Sequence, residues 1–407
     1  MDKIAIRGRI IDGTGREPFH GVLIIEEGRI KQVETDNITL PGDVKTIDAG
    51  EGTILPGLID AHIHFIGSRT LDTSRWLIEP VALRAIRTVV DCETLLDAGF
   101  TTVRDVGGLG VYLKRAIAEG EIRGPRILSA NKILSQTGGH GDIHYLPLDF
   151  VREYGFARIC DGADQCRQAA REQFREGADF IKICSTGGVM SEKDKPQSSQ
   201  FTMEELKAIV EEARRVGSYV ASHAQGAKGV NDALKAGIKT IEHGIYLDDE
   251  SIELMLQNDA YLVTTLAIVK RICTFGEKFN VPEWGLKKAR AAYETHKKAV
   301  WKAKKAGVKV AVGTDFCSGE LLPFGQNAEE LELLVDLGFT PMEAIIAGTK
   351  TAAEAIQMGD KSGTLEAGKM ADVIIVQGDP LTDISCVKSA EKVRFVMKEG
   401  RIEKNVL

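Results

Sequence analysis

No stretch of this 407-residue sequence approaches the roughly 20 consecutive apolar residues of a membrane helix, so none is expected. Met1-Asp2-Lys3-Ile4 is not a charged region leading into an apolar one, so no secretory leader is expected either. Long acidic or basic runs are missing: the formal net charge of −7 is spread along the chain, which argues against nucleic-acid or membrane partners. The seven cysteines include no C-x-x-C pair and read as reduced, buried thiols of a cytoplasmic protein. Histidine is scarce, at eight residues, so each position carries information. What is present, 43% hydrophobic and 27% charged residues, suits a soluble globular protein with a large core. The length allows two or three domains, or a barrel with an accessory domain.

Both chain ends are strand-like. Val22-Leu23-Ile24-Ile25 and Arg29-Ile30-Lys31-Gln32-Val33 flank Glu26-Glu27-Gly28, a hairpin turn. Near the C-terminus, Val393-Arg394-Phe395-Val396-Met397 and Arg401-Ile402 flank Lys398-Glu399-Gly400 in the same way. Neither end has enough strands to be stable alone, so residues 1–56 and 366–407 are expected to form one small β-sandwich domain. Between them, helices end in Gly or a turn residue and run directly into apolar segments, as at Ala98-Gly99, Glu176-Gly177, Val216-Gly217, Ala236-Gly237, Asn258-Asp259 and Ala306-Gly307. Strands are expected over 58–64, 100–104, 126–130, 178–183, 218–223, 238–243, 260–265 and 308–315, with amphipathic helices such as 203–216 and 282–306 between them. Eight β–α units predict an α/β fold, a distorted (β/α)8 TIM barrel over 57–365. A doubly wound open sheet shares the alternation. The barrel is preferred because the candidate ligands fall on strands 1, 4, 5, 6 and 8, whose ends would converge on one mouth.

Those ligands are His62, His64, Lys182, His223, His243 and Asp315. His62 and His64 lie two apart on one strand, with Cα atoms roughly 6.5–7 Å apart, so both imidazoles can reach one metal. Lys182 sits in the apolar Asp179-Phe180-Ile181-Lys182-Ile183-Cys184, where a lysine is costly unless paired or chemically altered. Desolvated beside two cations it would lose its proton, and the neutral amine can add CO2 to give a carbamate that bridges both. His223 and His243 end successive strands. Asp315 can ligate a metal and accept a proton; its plainer reading is a helix N-cap. Such ligands suit Zn2+, with Mn2+, Co2+ or Fe2+ as alternatives, and two such ions lower the pKa of a shared water and polarise a carbonyl. His140, in Thr137-Gly138-Gly139-His140-Gly141, is assigned to substrate, with weaker claims for His144 and Tyr145 on the same loop. His20 and His296 look like surface residues. A positive group near the mouth should hold a substrate carboxylate; Arg104 is one candidate, but a buried structural ion pair is its preferred reading.

Leu55-Pro56-Gly57-Leu58-Ile59-Asp60-Ala61-His62-Ile63-His64 resembles the first-strand signature of the amidohydrolase superfamily. The lysine, two histidines and aspartate follow in that superfamily's order, as does Gly363-Thr364-Leu365-Glu366-Ala367-Gly368-Lys369-Met370-Ala371-Asp372, where such chains return to the β-domain. The resemblance covers essentially the whole chain. It implies a binuclear centre in which His62, His64 and Asp315 bind the more buried metal, His223 and His243 the other, and carbamylated Lys182 both. Thr137-Gly138-Gly139-His140-Gly141, Ser185-Thr186-Gly187-Gly188-Val189-Met190-Ser191 and Ile241-Glu242-His243-Gly244 are similar to the prolidase-like, imidazolonepropionase-related branch. That branch implies hydrolysis of Xaa-Pro and other dipeptides or N-acyl amino acids. It also implies a small-molecule partner and a homo-oligomer, commonly an octamer. Where Xaa-Pro dipeptidases carry tyrosine two residues after the strand-5 histidine, this chain has Gln225, a substrate-facing departure. The expected activity is amide hydrolysis on dipeptides or N-acyl amino acids. The alternatives are a lactonase, a carbamate or urea hydrolase, or a deaminase on the same scaffold, and, below these, a non-catalytic assembly subunit.

Overall fold

The computed structural model describes residues 3–35 and 44–407. The expected segment 1–56 thus includes residues 1–2 and 36–43, which lie outside the described residues. Strands Leu58–Ile63, Phe100–Asp105 and Arg126–Ser129 pair in parallel, and so do Ile181–Cys184, Val220–Gly226, Thr240–Tyr246, Tyr261–Val263 and Lys309–Ala311. Backbone bonds join the two sets into a barrel. Asp179 N–H donates to Ser129 O at 2.8 Å on one side, and Ala61 N–H to Val312 O at 2.9 Å on the other. These strands are buried on both faces, which is why they read as continuous apolar runs. The helix Met203–Arg215 starts in a capping box between Thr202 and Glu205, and Glu283–Ala306 starts after Pro282. Gly237 and Gly307 end their helices at φ 97° and 88°.

The third barrel position departs from the expected single strand. The chain leaves it at Asn131, which is in the left-handed region (φ 61°), and two short strands follow, Ile133–Ser135 and Ala157–Ile159. Gln173 Oε1 holds the break by accepting from Asn131 Nδ2 at 3.0 Å and Lys132 N at 3.1 Å. Ile133–Ser135 rejoins Ile181–Cys184, so the loop carrying His140 leaves from the barrel rim.

The ends build one seven-stranded sheet, in the order Arg401–Asn405, Val393–Lys398, Val373–Gln377, Lys45–Pro56, Ile4–Ile10, Phe19–Glu26, Arg29–Thr35. It folds over a core that includes Ile6, Ile10, Leu23, Ile25, Phe395 and Met397. Its two hairpin tips meet: Ala371 N–H donates to Gly28 O and Gly400 N–H to Ala371 O, at 2.9 and 3.0 Å. Lys45–Pro56 passes into the first barrel strand through Gly57, where a Cβ would lie 2.1 Å from Thr101 Oγ1; only glycine fits. All seven cysteines are free thiols, six of them buried. Among the described residues no helix is long and apolar enough to cross a membrane.

Arg126 locks the sheet to the barrel. It donates to Asp372 at 2.8 Å, to Glu399 at 2.6 Å and to Thr102 at 2.7 Å, and Asp372 is 2% exposed. Removing one partner strands a buried carboxylate. We expect Arg126→Met to lose roughly 3 kcal/mol in urea unfolding, and Arg126→Met with Asp372→Asn to recover part of it. An unchanged midpoint for the single variant would contradict this account.

Candidate active site

His62, His64, Lys182, His223, His243 and Asp315 all line one cavity of about 720 Å3 at the C-terminal ends of the barrel strands. Asp315 Oδ1 lies 3.4 Å from His62 Nε2 and 3.2 Å from His64 Nε2. One ligand atom from each of His62, His243 and Asp315 falls within 4.8 Å of the others. Ring centroids are 5.0 Å apart for His62 and His243 and 4.6 Å for His223 and His243. His243 and Asp315 take φ values of 74° and 60°, a conformation costly for non-glycine residues that turns these strand-end side chains into the mouth.

Each of the four imidazoles spends one nitrogen on a protein acceptor. His62 Nδ1 meets Glu242 Oε2 at 2.6 Å, His64 Nδ1 meets Gly107 O at 2.8 Å, and His243 Nδ1 meets Thr265 Oγ1 at 2.7 Å. His223 uses Nε2, on Gly187 O at 3.1 Å. Where such a ring is neutral, an N–H on those atoms leaves the other nitrogen its lone pair, the arrangement usual for metal-binding histidines. Burial holds His223 and His243 well below the ordinary imidazole range, which keeps them neutral. Burial opposes ionisation of Asp315, but His62, His64 and His243 outweigh it and hold its carboxyl well below the usual range. Burial also lowers the Lys182 ammonium, against the pull of Glu242. Lys182 is 2% exposed, and its Nζ has no hydrogen-bond partner among the described residues. A donor set of imidazoles and a carboxylate around an unpartnered lysine amine fits divalent metal ions.

His140 stacks on His223, with centroids 4.0 Å apart. Its Nδ1 is 2.8 Å from Ser191 Oγ, and Ser191 in turn donates to Asp194. Lys288 pins this loop through the carbonyls of Gly188, Ser191 and Asp194. His144 and Tyr145 line the same cavity, but His144 has both ring nitrogens engaged, with Gly139 O and Lys193 N, and Tyr145 bonds Thr73. Gln225 is 5% exposed, and its Oε1 has no partner among the described residues. Trp76, Tyr145, Phe156, Met190, Phe279 and Trp284 form much of the outer wall.

One expectation is corrected. His296 is not a surface residue: it is fully buried, and Nε2 donates to the His243 carbonyl at 2.9 Å. It lies on the inner face of the long helix Glu283–Ala306, which packs on the His243 strand. His20 is exposed as expected. Arg104 makes the buried structural ion pair of its preferred reading and does not clamp a carboxylate at the mouth. It is fully buried, donating to Glu242 at 2.7 Å and to Ala61 O at 2.6 Å, and among the described residues lining the cavity Lys182 is the only lysine or arginine. Glu242, Thr265, Ser191, Asp194 and Lys288 have no marker in spacing alone. For Glu242 the available signal is a carboxylate inside an apolar strand, which must find a cation.

Residues 53–402 match the model of the amidohydrolase family. The chain belongs to that family. It is a hydrolase acting on amide bonds. It is 35% identical to ochratoxinase of Aspergillus niger over 424 aligned residues, covering 98% of this chain and 86% of that one. A prolidase crystallised with N-methylphosphonate-L-proline superposes with a TM-score of 0.93 at 31% identity, covering 99% of this chain and 100% of that one. A Xaa-Pro dipeptidase with bound methionine superposes at 0.90 and 34%, with the same coverage. The family assignment and the prolidase-like branch agree with the sequence motifs.

The Ser191–Asp194 pair generates a prediction for this family's activity. Ser191 has one proton to give. Given to Asp194, it obliges His140 Nδ1 to donate, so Asp194 sets the orientation and protonation of a ring facing the cavity. Asp194→Asn should lower kcat/KM for an amide substrate on the order of 100-fold, the scale of a misplaced catalytic group. Metal content should not change. Full activity in this variant would dismiss the role.

Proposed function

We propose that the chain is a binuclear metal-dependent hydrolase of dipeptides, Xaa-Pro or others, or of N-acyl amino acids, working in the cytoplasm as a homo-oligomer. The observation that carries this reading is the ring of four imidazoles, each with one nitrogen engaged, around Asp315 and the unpartnered Lys182 amine. His62, His64 and Asp315 would hold one ion, His223 and His243 a second, and Lys182, as its carbamate, both. Zn2+ suits this set, as do Mn2+, Co2+ and Fe2+. Bound there, such ions lower the pKa of water and polarise a carbonyl.

The chain's own residues complete the chemistry. Asp315 is ionised and within reach of two imidazoles, so it can take a proton and return it to a leaving nitrogen. His140, held by Ser191 with its proton on Nδ1, turns Nε2 toward the substrate, and takes a second proton there to donate to a carbonyl oxygen or carboxylate. Gln225 Oε1 is a buried acceptor without a partner among the described residues, suited to a substrate N–H. The apolar outer wall excludes water and accepts a large side chain. The cavity of about 720 Å3 is ample for a dipeptide.

Metal analysis of protein grown with zinc or manganese should give about two ions per chain. Lys182→Ala should lose most of that metal together with the activity. Full metal binding by the variant would end the bridging role. Substrate class is read from a dipeptide and N-acyl amino acid library by amine release. Turnover concentrated on Xaa-Pro would identify a prolidase despite Gln225, and turnover elsewhere a broader dipeptidase or acylase. No turnover with two metals bound would reject the peptide and N-acyl reading.

A further inference from the structure

The helix Val81–Asp97 is apolar on two faces. Its inner face buries Thr88, Cys92, Leu95 and Leu96. A surface helix ordinarily turns its polar side outward. Here Leu83, Ile86 and Val90 run along the opposite side, at 40%, 67% and 55% exposure. With 3.6 residues per turn they fall within roughly 60° of one another, about half a turn from the buried row. Ile78, ending the preceding short helix Thr73–Ile78, and Val81 add exposed apolar surface at the N-terminal end. Other exposed large apolar side chains are mostly lone residues on separate elements.

We propose that this stripe is the face through which two copies of the chain associate, with the same helix of a second copy laid across it antiparallel. The proposal rests on the homo-oligomer part of the functional reading, not on its substrate. Leu83, Ile86 and Val90 have the three-then-four spacing of a helix–helix seam. Such a seam complements itself across a two-fold axis, which would pass near Ile86 and set Leu83 against the partner's Val90. Between Leu83 and Val90 the seam carries no charge; its spacing continues to Glu93 and Asp97. The five side chains expose roughly 450 Å2 together, about the apolar share of the ~800 Å2 that each partner contributes to a standard interface. Charge agrees with the antiparallel sense. Glu93 has no ion-pair partner among the described residues. The two-fold carries it toward the N-terminal end of the partner's helix, where the helix dipole favours a carboxylate. Thr73, Ser74 and Trp76 of the adjoining helix line the active-site cavity, so the second copy would brace that wall.

Light scattering on the full chain, with two variants, tests this. The wild type is expected to be a multimer. Ile86→Glu with Val90→Glu should reduce its mass twofold or more while the thermal melt stays cooperative. Ile86→Cys should give a disulfide-linked dimer on a non-reducing gel, lost on reduction, because the axis brings the two copies of position 86 together. A monomeric wild type would overturn both the homo-oligomer reading and this face. A wild-type multimer whose mass the double variant keeps, without a cross-link through position 86, would overturn the face alone. If the double variant does not fold, the cross-link decides.

Discussion

The site depends on one buried ion pair. Arg104 and Glu242 are both fully excluded from solvent and 2.7 Å apart. Neither charge could stay there without the other. Glu242 spends its second oxygen on His62 Nδ1, and Arg104 spends further donors on Ala61 O and Thr240 Oγ1. The pair therefore ties the first, second and sixth barrel strands together beneath the mouth and fixes the tautomer of the first histidine. Burial works against the ionised form of Glu242, and Arg104 with Lys182 overcomes it, holding the carboxyl far below its usual range. A barrel floor of apolar side chains would pack as well. It would leave His62 free to rotate and to choose either tautomer.

A second polar layer lies beside it. Asp60 accepts from Thr314 Oγ1 at 2.7 Å, from Asn327 Nδ2 at 2.8 Å and from the His62 backbone. This links the first and eighth strands where the sheet closes, one residue before Asp315. Burial raises the Asp60 carboxyl despite these bonds. Glu330, close by, is pushed up to about 8 by burial although Thr264, Leu266 and Ala267 donate to it. The carboxylates Glu242, Asp60 and Glu330 beneath the mouth are thus hydrogen-bonded, as a buried site needs if its side chains are to keep one geometry.

The barrel and its six central residues were legible because they obey local rules. Parallel strands buried on both faces leave apolar runs, glycine marks the helix ends, and His or Asp at a strand end points to the mouth. What could not be read lies in contacts between distant segments. His296, in a lysine-rich helix, looks like a surface residue in one dimension; only the packing of that helix on the sixth strand puts it under His243. Arg104 shows the same limit from the other side. A cation at a strand end is legible, but whether it faces substrate or a carboxylate depends on residue 242, far along the chain. The break at Asn131 was hidden because a left-handed asparagine costs little and leaves no pattern. The Ser191–Asp194 support of His140 was hidden because it joins two loops.

Lys182 stands apart from the hydrogen-bonded groups around it. A lysine amine at 2% exposure, with no acceptor among the described residues, is one of the least favourable arrangements a core can hold. Arg104 nearby adds repulsion, and Glu242 and Asp315 relieve it from a distance. A purely structural lysine would have been drawn into a direct pair with one of these carboxylates; here Glu242 is taken by Arg104 and His62, and Asp315 by His62 and His64. The neighbours are already committed, so Nζ is left facing the cavity with its nitrogen available. On the proposed reading, the neutral amine adds CO2 and releases a proton, which gives a carbamate anion among the imidazoles. Divalent ions held there would offset the cost of burying that anion, which would be a second carboxylate beside Asp315.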